Sequence, residues 1–528
     1  MEKRTIIAVA LCVLVIIIYP YFAAKFYPPK PQAPQLASEQ NEILQPQAPS
    51  AQSPQLHASV PAVEKIKEEE IVFQTHNYRA VLSNRGAAIK SVELLRYKGE
   101  QGRPYKLFQA PSGNIGALAM WAPDKDSQAA LGEYSVSRTP QGLVFTQTLN
   151  DGIVLSKEYN FPNDKHTIEL RIRIENQNTQ PTVFGYKLIG GSCISVDPKI
   201  DTRFMEIDTL VNGKVQKDYP AKIKEKGLVK FGAIAFIALK NKYFCEILKP
   251  TLPAGEVFAN LLNTNKLVTG IEIAPIIIQA RQNVAQEYIF YVGPNDYNEL
   301  KSCNAGFEQT LYTGLFSGIS RGLMFILRFL HGVVHNWGVA IILLTTLVSL
   351  CMFPLTLKSM RSMKEMQSLA PQIEELRAQY KDNAQKLNKE IMELYKKHKV
   401  NPFGGCLPML LQMPIYIALY QGLMRAIELR DAKFLWIKDL SSEDALFNVS
   451  GFNVNLLPIL AAIVMFMQQK LTSPARAMDQ QQKMMAYMFP LMFGFLFYKF
   501  AAGFVLYFLT STVLMVAYQY LIKVKPKQ

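Results

Sequence analysis

Phe329-Leu-His-Gly-Val-Val-His-Asn-Trp-Gly-Val-Ala-Ile-Ile-Leu-Leu-Thr-Thr-Leu-Val-Ser-Leu-Cys-Met-Phe-Pro-Leu-Thr-Leu357 runs for 29 residues without a charged side chain. A helix of about 20 residues, rising 1.5 Å per residue, crosses the hydrocarbon of a bilayer, so this stretch reads as a membrane span. Four more charge-free runs follow: Val400–Met424 (25 residues), Ala445–Gln469 (25), Met484–Tyr498 (15) and Phe500–Ile522 (23). The shortest covers only about 23 Å. Either Gln480–Gln482 extend it or the bilayer thins around it.

The other end of the chain adds a sixth candidate. Met1-Glu-Lys-Arg4 precedes 20 uncharged residues, Thr5 to Ala24. A cleaved leader has a shorter apolar core and a small-residue cleavage site, but Tyr19-Pro-Tyr-Phe22 and Phe26 stand there. An uncleaved anchor over 1–25 is expected. Residues 26–62 hold eight prolines and seven glutamines and read as an extended tether.

Over all 528 residues, 49% are hydrophobic and 19% charged, while mean hydropathy is only +0.06. Lipid-soluble and water-soluble parts must therefore be segregated along the chain. The composition excludes a disordered chain, a collagen and a small disulfide scaffold. Six cysteines are too sparse for a disulfide framework. Cys12, Cys351 and Cys406 fall in apolar runs, and Cys193, Cys245 and Cys303 show no CxxC spacing.

Between residues 63 and 306 the hydrophobic period is two. In His166-Thr-Ile-Glu-Leu-Arg-Ile-Arg-Ile-Glu175, Ile168, Leu170, Ile172 and Ile174 share one face, the pattern of a half-buried antiparallel strand. Asn150-Asp-Gly152 is a hairpin signal. A large β-sandwich is expected. Its 30 Lys+Arg against 26 Asp+Glu nearly cancel, so it offers no nucleic-acid surface.

From 307 to 330 the period lengthens: Leu311, Leu315, Ile319, Leu323, Ile326 and Leu330 recur at three or four residues. With Arg321 and Arg328, this reads as an amphipathic helix in the membrane interface or one packed on the sandwich. The expected order after it is spans at 331–357, 400–424, 445–469, 484–498 and 500–522. Loops lie at 425–444 and 470–483, with a short basic tail at 523–528. Segment 358–399 reads as a basic helical hairpin turning at Lys381-Asp-Asn383. It carries ten Lys+Arg, 470–483 three and the tail three, against four in 425–444 and Lys499 in the last turn. That bias puts both termini in the cytosol and the sandwich in the periplasm.

No catalytic pattern survives inspection. Gly318-Ile-Ser-Arg-Gly322 matches GxSxG but sits in a helical stripe rather than between a strand and a helix. His331 and His335 have zinc-pair spacing without a glutamate or a third ligand. No phosphate-binding loop, cofactor or metal site is expected.

What stands out is polarity inside the apolar runs. Gln412, Tyr416 and Tyr420 lie at i, i+4 and i+8, Thr345 and Ser349 one turn apart, and Tyr507 and Ser511 likewise. Polar groups avoid lipid and face interiors, so these stripes imply a shared water-accessible cavity. Sixteen of the 20 methionines lie in 350–528, which suits a surface accepting many apolar partners.

Asn401-Pro-Phe-Gly-Gly-Cys-Leu-Pro-Met-Leu-Leu-Gln-Met-Pro-Ile415, with Ala418-Leu-Tyr420 and Glu428-Leu-Arg430, closely resembles the third transmembrane helix of the YidC membrane-protein insertases. Phe353-Pro-Leu-Thr356, Gln482-Lys-Met484 with Phe489-Pro490, and Gly503-Phe-Val-Leu-Tyr507 match other helices of that family. The likeness covers about 330–523; the anchor, tether and β-domain match its long form by architecture. It implies an α+β membrane protein of six spans. Five of them surround a hydrophilic groove closed to the periplasm, with a β-supersandwich outside that resembles sugar-binding sandwiches. By the same resemblance Ser349 replaces the family's groove arginine, Thr345 matches a groove threonine, Tyr507 matches one of a tyrosine pair, and Phe508 replaces the second. Arg425 is a candidate to supply the missing positive charge.

The expected groove is therefore Thr345, Ser349, Gln412, Tyr416, Tyr420, Arg425, Tyr507 and Ser511, with Lys358, Arg361 and Lys364 recruiting partners on the cytosolic side. The resemblance implies nascent membrane proteins as substrates, partners in the ribosome, the Sec translocon and membrane lipids, a bacterial inner-membrane location, and no covalent chemistry. A wet groove lowers a barrier of about 2.5–3.5 kcal/mol per charged residue carried into the bilayer. A transporter or channel, or a membrane-tethered sugar-binding module, fits the same polarity less completely.

Overall fold

The computed structural model describes residues 68–524, apart from 100–101, 111–115, 122–131, 150, 193, 195–203, 221–222, 224–226, 264–265, 312–314, 382, 399, 401–406, 450–451 and 473–479. The expected anchor and tether lie outside the described residues.

The first half is antiparallel β-structure in two sheets. Glu70–Gln74, Tyr78–Ser83, Ala88–Lys98 and Pro104–Gln109 form a four-stranded meander, and thirteen strands from Met120–Trp121 to Asn283–Pro294 form the second sheet. Thr167–Asn176 keeps the alternation read from its sequence: Ile168, Leu170, Ile172 and Ile174 are buried, while Glu169, Arg171 and Arg173 are exposed. Gly142–Thr148 and Ile153–Asn160 form the expected hairpin, with Gly152 at φ 73° in its turn, a conformation glycine adopts without a Cβ penalty.

Tyr78, Leu82 and Ile89 of the small sheet share one core with Phe145, Ile172 and Phe290 of the large one. Lys157, fully buried, joins the two layers. Its ammonium donates to the carbonyls of Gly86 (3.0 Å), Ala87 (3.2 Å) and Leu118 (2.8 Å), matching three donors to three acceptors. On the opposite face, helix α1 (Tyr297–Ser302) and a 3₁₀ turn (Phe307–Thr310) cover Leu210, Phe236, Ile247 and Tyr291. The strand Glu206–Val211 is consequently buried on both sides, its Glu206 and Asp208 included.

The second half is helical: α2 (Ser317–Val334), α3 (Trp337–Ser368), α4 (Ala370–Gln379), α5 (Ala384–Lys397), α6 (Leu407–Arg425), α7 (Leu456–Thr472), α8 (Gln480–Leu496) and α9 (Ala502–Val524). Four boundaries differ from the sequence reading. The run Phe329–Leu357 is divided, because α2 continues to Val334 and His335 turns at φ 54° before α3 begins. His331 stacks on Trp337 across that break, ring centroids 3.8 Å apart, which gives this histidine a packing role. The amphipathic helix thus runs over 317–334, not 307–330. It buries Ser320, Leu323, Met324 and Leu327 against α3 and α6 and leaves Phe325, Phe329 and Val333 exposed.

The run Ala445–Gln469 is also two elements. Phe447–Val449 and Phe452–Val454 pair as a short hairpin. Asp444 then accepts the N–H groups of Leu456 (2.9 Å) and Leu457 (2.6 Å), supplying the orphan donors that start α7. Third, α8 begins at Gln480, so the glutamines do extend the short run. Fourth, α3 continues as one helix through Pro354 to Ser368, and the hairpin proper is α4–α5, with Asn383 capping α5.

Trp337–Met366 and Ala502–Tyr520 are long and apolar enough to cross a bilayer, and Leu456–Leu471 is a shorter apolar helix. The helical core gathers Leu344, Leu419, Leu423, Leu457, Val505 and Leu506. Helix α8 packs on α7 and turns Leu491 and Phe495 outward.

Candidate functional site

Helices α6 and α9, both predominantly apolar, meet through two polar contacts. The Gln412 amide donates to the Tyr507 hydroxyl at 2.8 Å, and the Tyr416 and Ser511 hydroxyls lie 3.2 Å apart. The spacing i, i+4 on each helix sets these residues on facing stripes, and the Tyr416 and Tyr507 rings meet edge to face at 5.7 Å. Gln412, Tyr416 and Ser511 are half-buried; Tyr507 is buried. Thr345 on α3 is buried and donates to the Ile341 carbonyl of its own helix at 2.7 Å, and Ser349, one turn on, is half-buried.

Two other residues of the expected groove have different partners. Tyr420 continues the α6 stripe in sequence, but its ring packs against Phe500 (5.4 Å) and Phe504 (5.5 Å). Those phenylalanines join Phe493, Phe497 and Phe508 in one aromatic cluster. The helix turns 3.6 rather than four residues per turn, so an i, i+8 residue drifts off the stripe. Arg425 ends α6 and binds Glu206 of the β-domain through both terminal guanidinium nitrogens, at 2.5 and 3.1 Å. Its charge is answered there by a buried carboxylate of the β-domain.

Lys358, Arg361 and Lys364 are all exposed at intervals of three residues on the extension of α3. Gly318–Gly322 lies in α2, where Ser320 is buried against Gly422 of α6, so the GxSxG spacing here serves helix packing. Among the described residues no cluster of His, Cys, Asp and Glu could hold a metal ion.

Comparison with known proteins places the chain. The family model described as "60Kd inner membrane protein" matches residues 329–528, and that described as "YidC periplasmic domain" matches 70–326. The membrane protein insertase YidC of Geotalea uraniireducens (strain Rf4) is 34% identical over 98% of both chains. That of Geobacter sp. (strain M21) is 35% identical over 85% of both. The chain belongs to the YidC insertase family. An active YidC insertase crystal structure with its first transmembrane domain resolved aligns with 87% of this chain and 95% of its own, at 19% identity and TM-score 0.39.

In this YidC-family chain the β-domain is bolted to the helices by charged residues that periodicity did not single out. Glu206 is salt-bridged to Lys217 (2.9 Å) and Lys240 (3.2 Å) as well as to Arg425, and Lys240 also meets Asp208 at 3.0 Å. Burial alone would raise the Glu206 carboxyl, but Lys240, Arg425 and Lys217 hold it well below the usual carboxylate range. Arg328 of α2 donates to Glu428 just after α6 (2.8 Å) and reaches Asp296, the cap of α1, at 4.0 Å. Lys242 donates to the Ser441 carbonyl (3.0 Å) and Arg430 to the Lys98 carbonyl (2.9 Å). The available signal was Glu206-Ile-Asp208 and Lys240-Asn-Lys242, which look like solvent-facing alternation until both faces of those strands are covered.

Proposed function

We propose that this chain is a membrane protein insertase that moves nascent membrane proteins into the bacterial inner membrane through a hydrophilic groove between α3, α6 and α9. The observation that carries the reading is the pair of polar contacts Gln412–Tyr507 and Tyr416–Ser511, with three of the four side chains half-buried on predominantly apolar helices. Half-buried amides and hydroxyls keep water partway across the lipid. That shortens the dry path for a polar segment, while its apolar part leaves sideways into hydrocarbon. Thr345, Ser349, Gln412, Tyr416, Tyr507 and Ser511 line the groove in this reading, and the aromatic cluster around Phe497 closes one end.

The six-span topology has both termini in the cytosol and the β-domain in the periplasm. Helix α3, 32 residues long, spans about 48 Å, which exceeds a bilayer core by about 18 Å. It therefore presents Lys358, Arg361 and Lys364 to the cytosol, where they meet anionic lipid or the ribosome, and the chain works alone or with the Sec translocon.

The test is reconstitution of the full chain in liposomes with a short single-span substrate, scored by protease protection. Protection of the substrate span, with no accompanying ion or solute flux, is expected. Flux without insertion would show a transporter or channel instead.

A further inference from the structure

The cluster at the junction contains two carboxylates, Glu206 and Asp208, and three cations, Lys217, Lys240 and Arg425. Glu206, Asp208, Lys217 and Lys240 all belong to the β-domain, and only Arg425 comes from the helices. Without Arg425 the cluster still sets two lysines against two carboxylates within the β-domain. The arginine depends on the domain: its side chain is 28% exposed and both of its described carboxylate contacts go to Glu206, which is 1% exposed. A planar guanidinium on a buried carboxylate fixes direction as well as distance.

That contact sits at the last residue of α6. Gly422 packs on Ser320 and Met324 of α2 in the preceding turn, and Glu428 is tied to Arg328 just beyond it. Gln412 lies 13 residues from Arg425, or about 20 Å along the helix, so a tilt of about 3° at the pinned end moves it by about 1 Å. A shift of that size is enough to break a hydrogen bond of 2.8 Å.

We propose that Glu206 is a positioning residue for insertion: by holding Arg425 it sets the tilt of α6 and so the register of Gln412 and Tyr416 against Tyr507 and Ser511. The proposal rests on the insertase reading and assigns the β-domain a mechanical part in it.

The test uses the full chain in liposomes, comparing Glu206→Gln, Arg425→Gln and the double variant. Spin labels placed at exposed Met413 and Val513, in a background with the six native cysteines replaced, report the α6–α9 distance. Each single variant is expected to shift or broaden that distance and to slow insertion about fivefold, equally for acidic and neutral substrates. The double is expected to be no worse than Glu206→Gln alone, because the contact with Arg425 is already lost in that single. Arg425→Gln leaves the balanced cluster and should melt near the parent, which separates misplacement from unfolding. An Arg425→Gln chain with parental distance and rate, or a double whose defect is the product of the singles, overturns the proposal. A defect confined to acidic substrates also overturns it. A parent that inserts nothing would instead defeat the insertase reading itself.

Discussion

The Tyr507 hydroxyl accepts from the Gln412 amide at 2.8 Å, and Tyr507 is 1% exposed while Gln412 is half-buried. One partner is thus fixed in the helical core and the other faces a partly open space. Tyr507→Phe keeps the ring packing and removes only the hydroxyl. It should cost about 1 kcal/mol in detergent unfolding and slow insertion of substrates with a charged translocated segment more than of wholly apolar ones. Equal rates for both substrate types would speak against a wet groove at this position.

The contact between Arg328 and Glu428 links α2 to the end of α6. Burial raises the Glu428 carboxyl although Arg328 opposes it. Arg328→Gln should therefore destabilise the chain by about 2 kcal/mol. Adding Glu428→Gln should recover part of that loss, because the second change removes a stranded carboxylate. Thermal unfolding of the two variants side by side measures the recovery.

Gly422 is closely packed: a Cβ there would lie 2.9 Å from Met324 Cγ and 3.1 Å from Ser320 Oγ, so these side chains would have to shift. Gly422→Val should force α2 from α6 at a cost of about 1–3 kcal/mol. Gly422→Ala should cost less, since Met324 is flexible. Limited proteolysis between α2 and α3 is expected to quicken in the valine variant.

Glu246 is fully buried in the β-domain and accepts the Ser192 N–H at 2.7 Å, and burial pushes its carboxyl well above its ordinary range. The folded chain holds this proton more tightly than the unfolded one. The stability so gained is complete below an unfolded pKa of about 4.3 and is lost progressively as pH rises toward the folded value. Glu246→Gln should remove that decline, so its melting temperature should gain on the parent's between about pH 5 and 8. A difference that stays constant with pH would mean that Glu246 is ionised in the fold.

Sequence alone carried the division into a β-domain and apolar helices, because periods of two and of about four are imposed by which face meets water. Ile168 to Ile174 went inside as written, and the stripe Gln412–Tyr416 met Tyr507–Ser511. Absence of charge, however, marks solubility in lipid and not helix length. Nothing local announced that His335 would break one run or that Asp444 would cap the helix inside another.

Arg425 shows the remaining limit. Its place at the end of an apolar run was legible, and so was its charge, but a side chain's partner is chosen by what folding brings near it. Glu206 lies 219 residues away in the chain, on a strand whose burial depends on a second layer, and only the assembled molecule brings the two within reach.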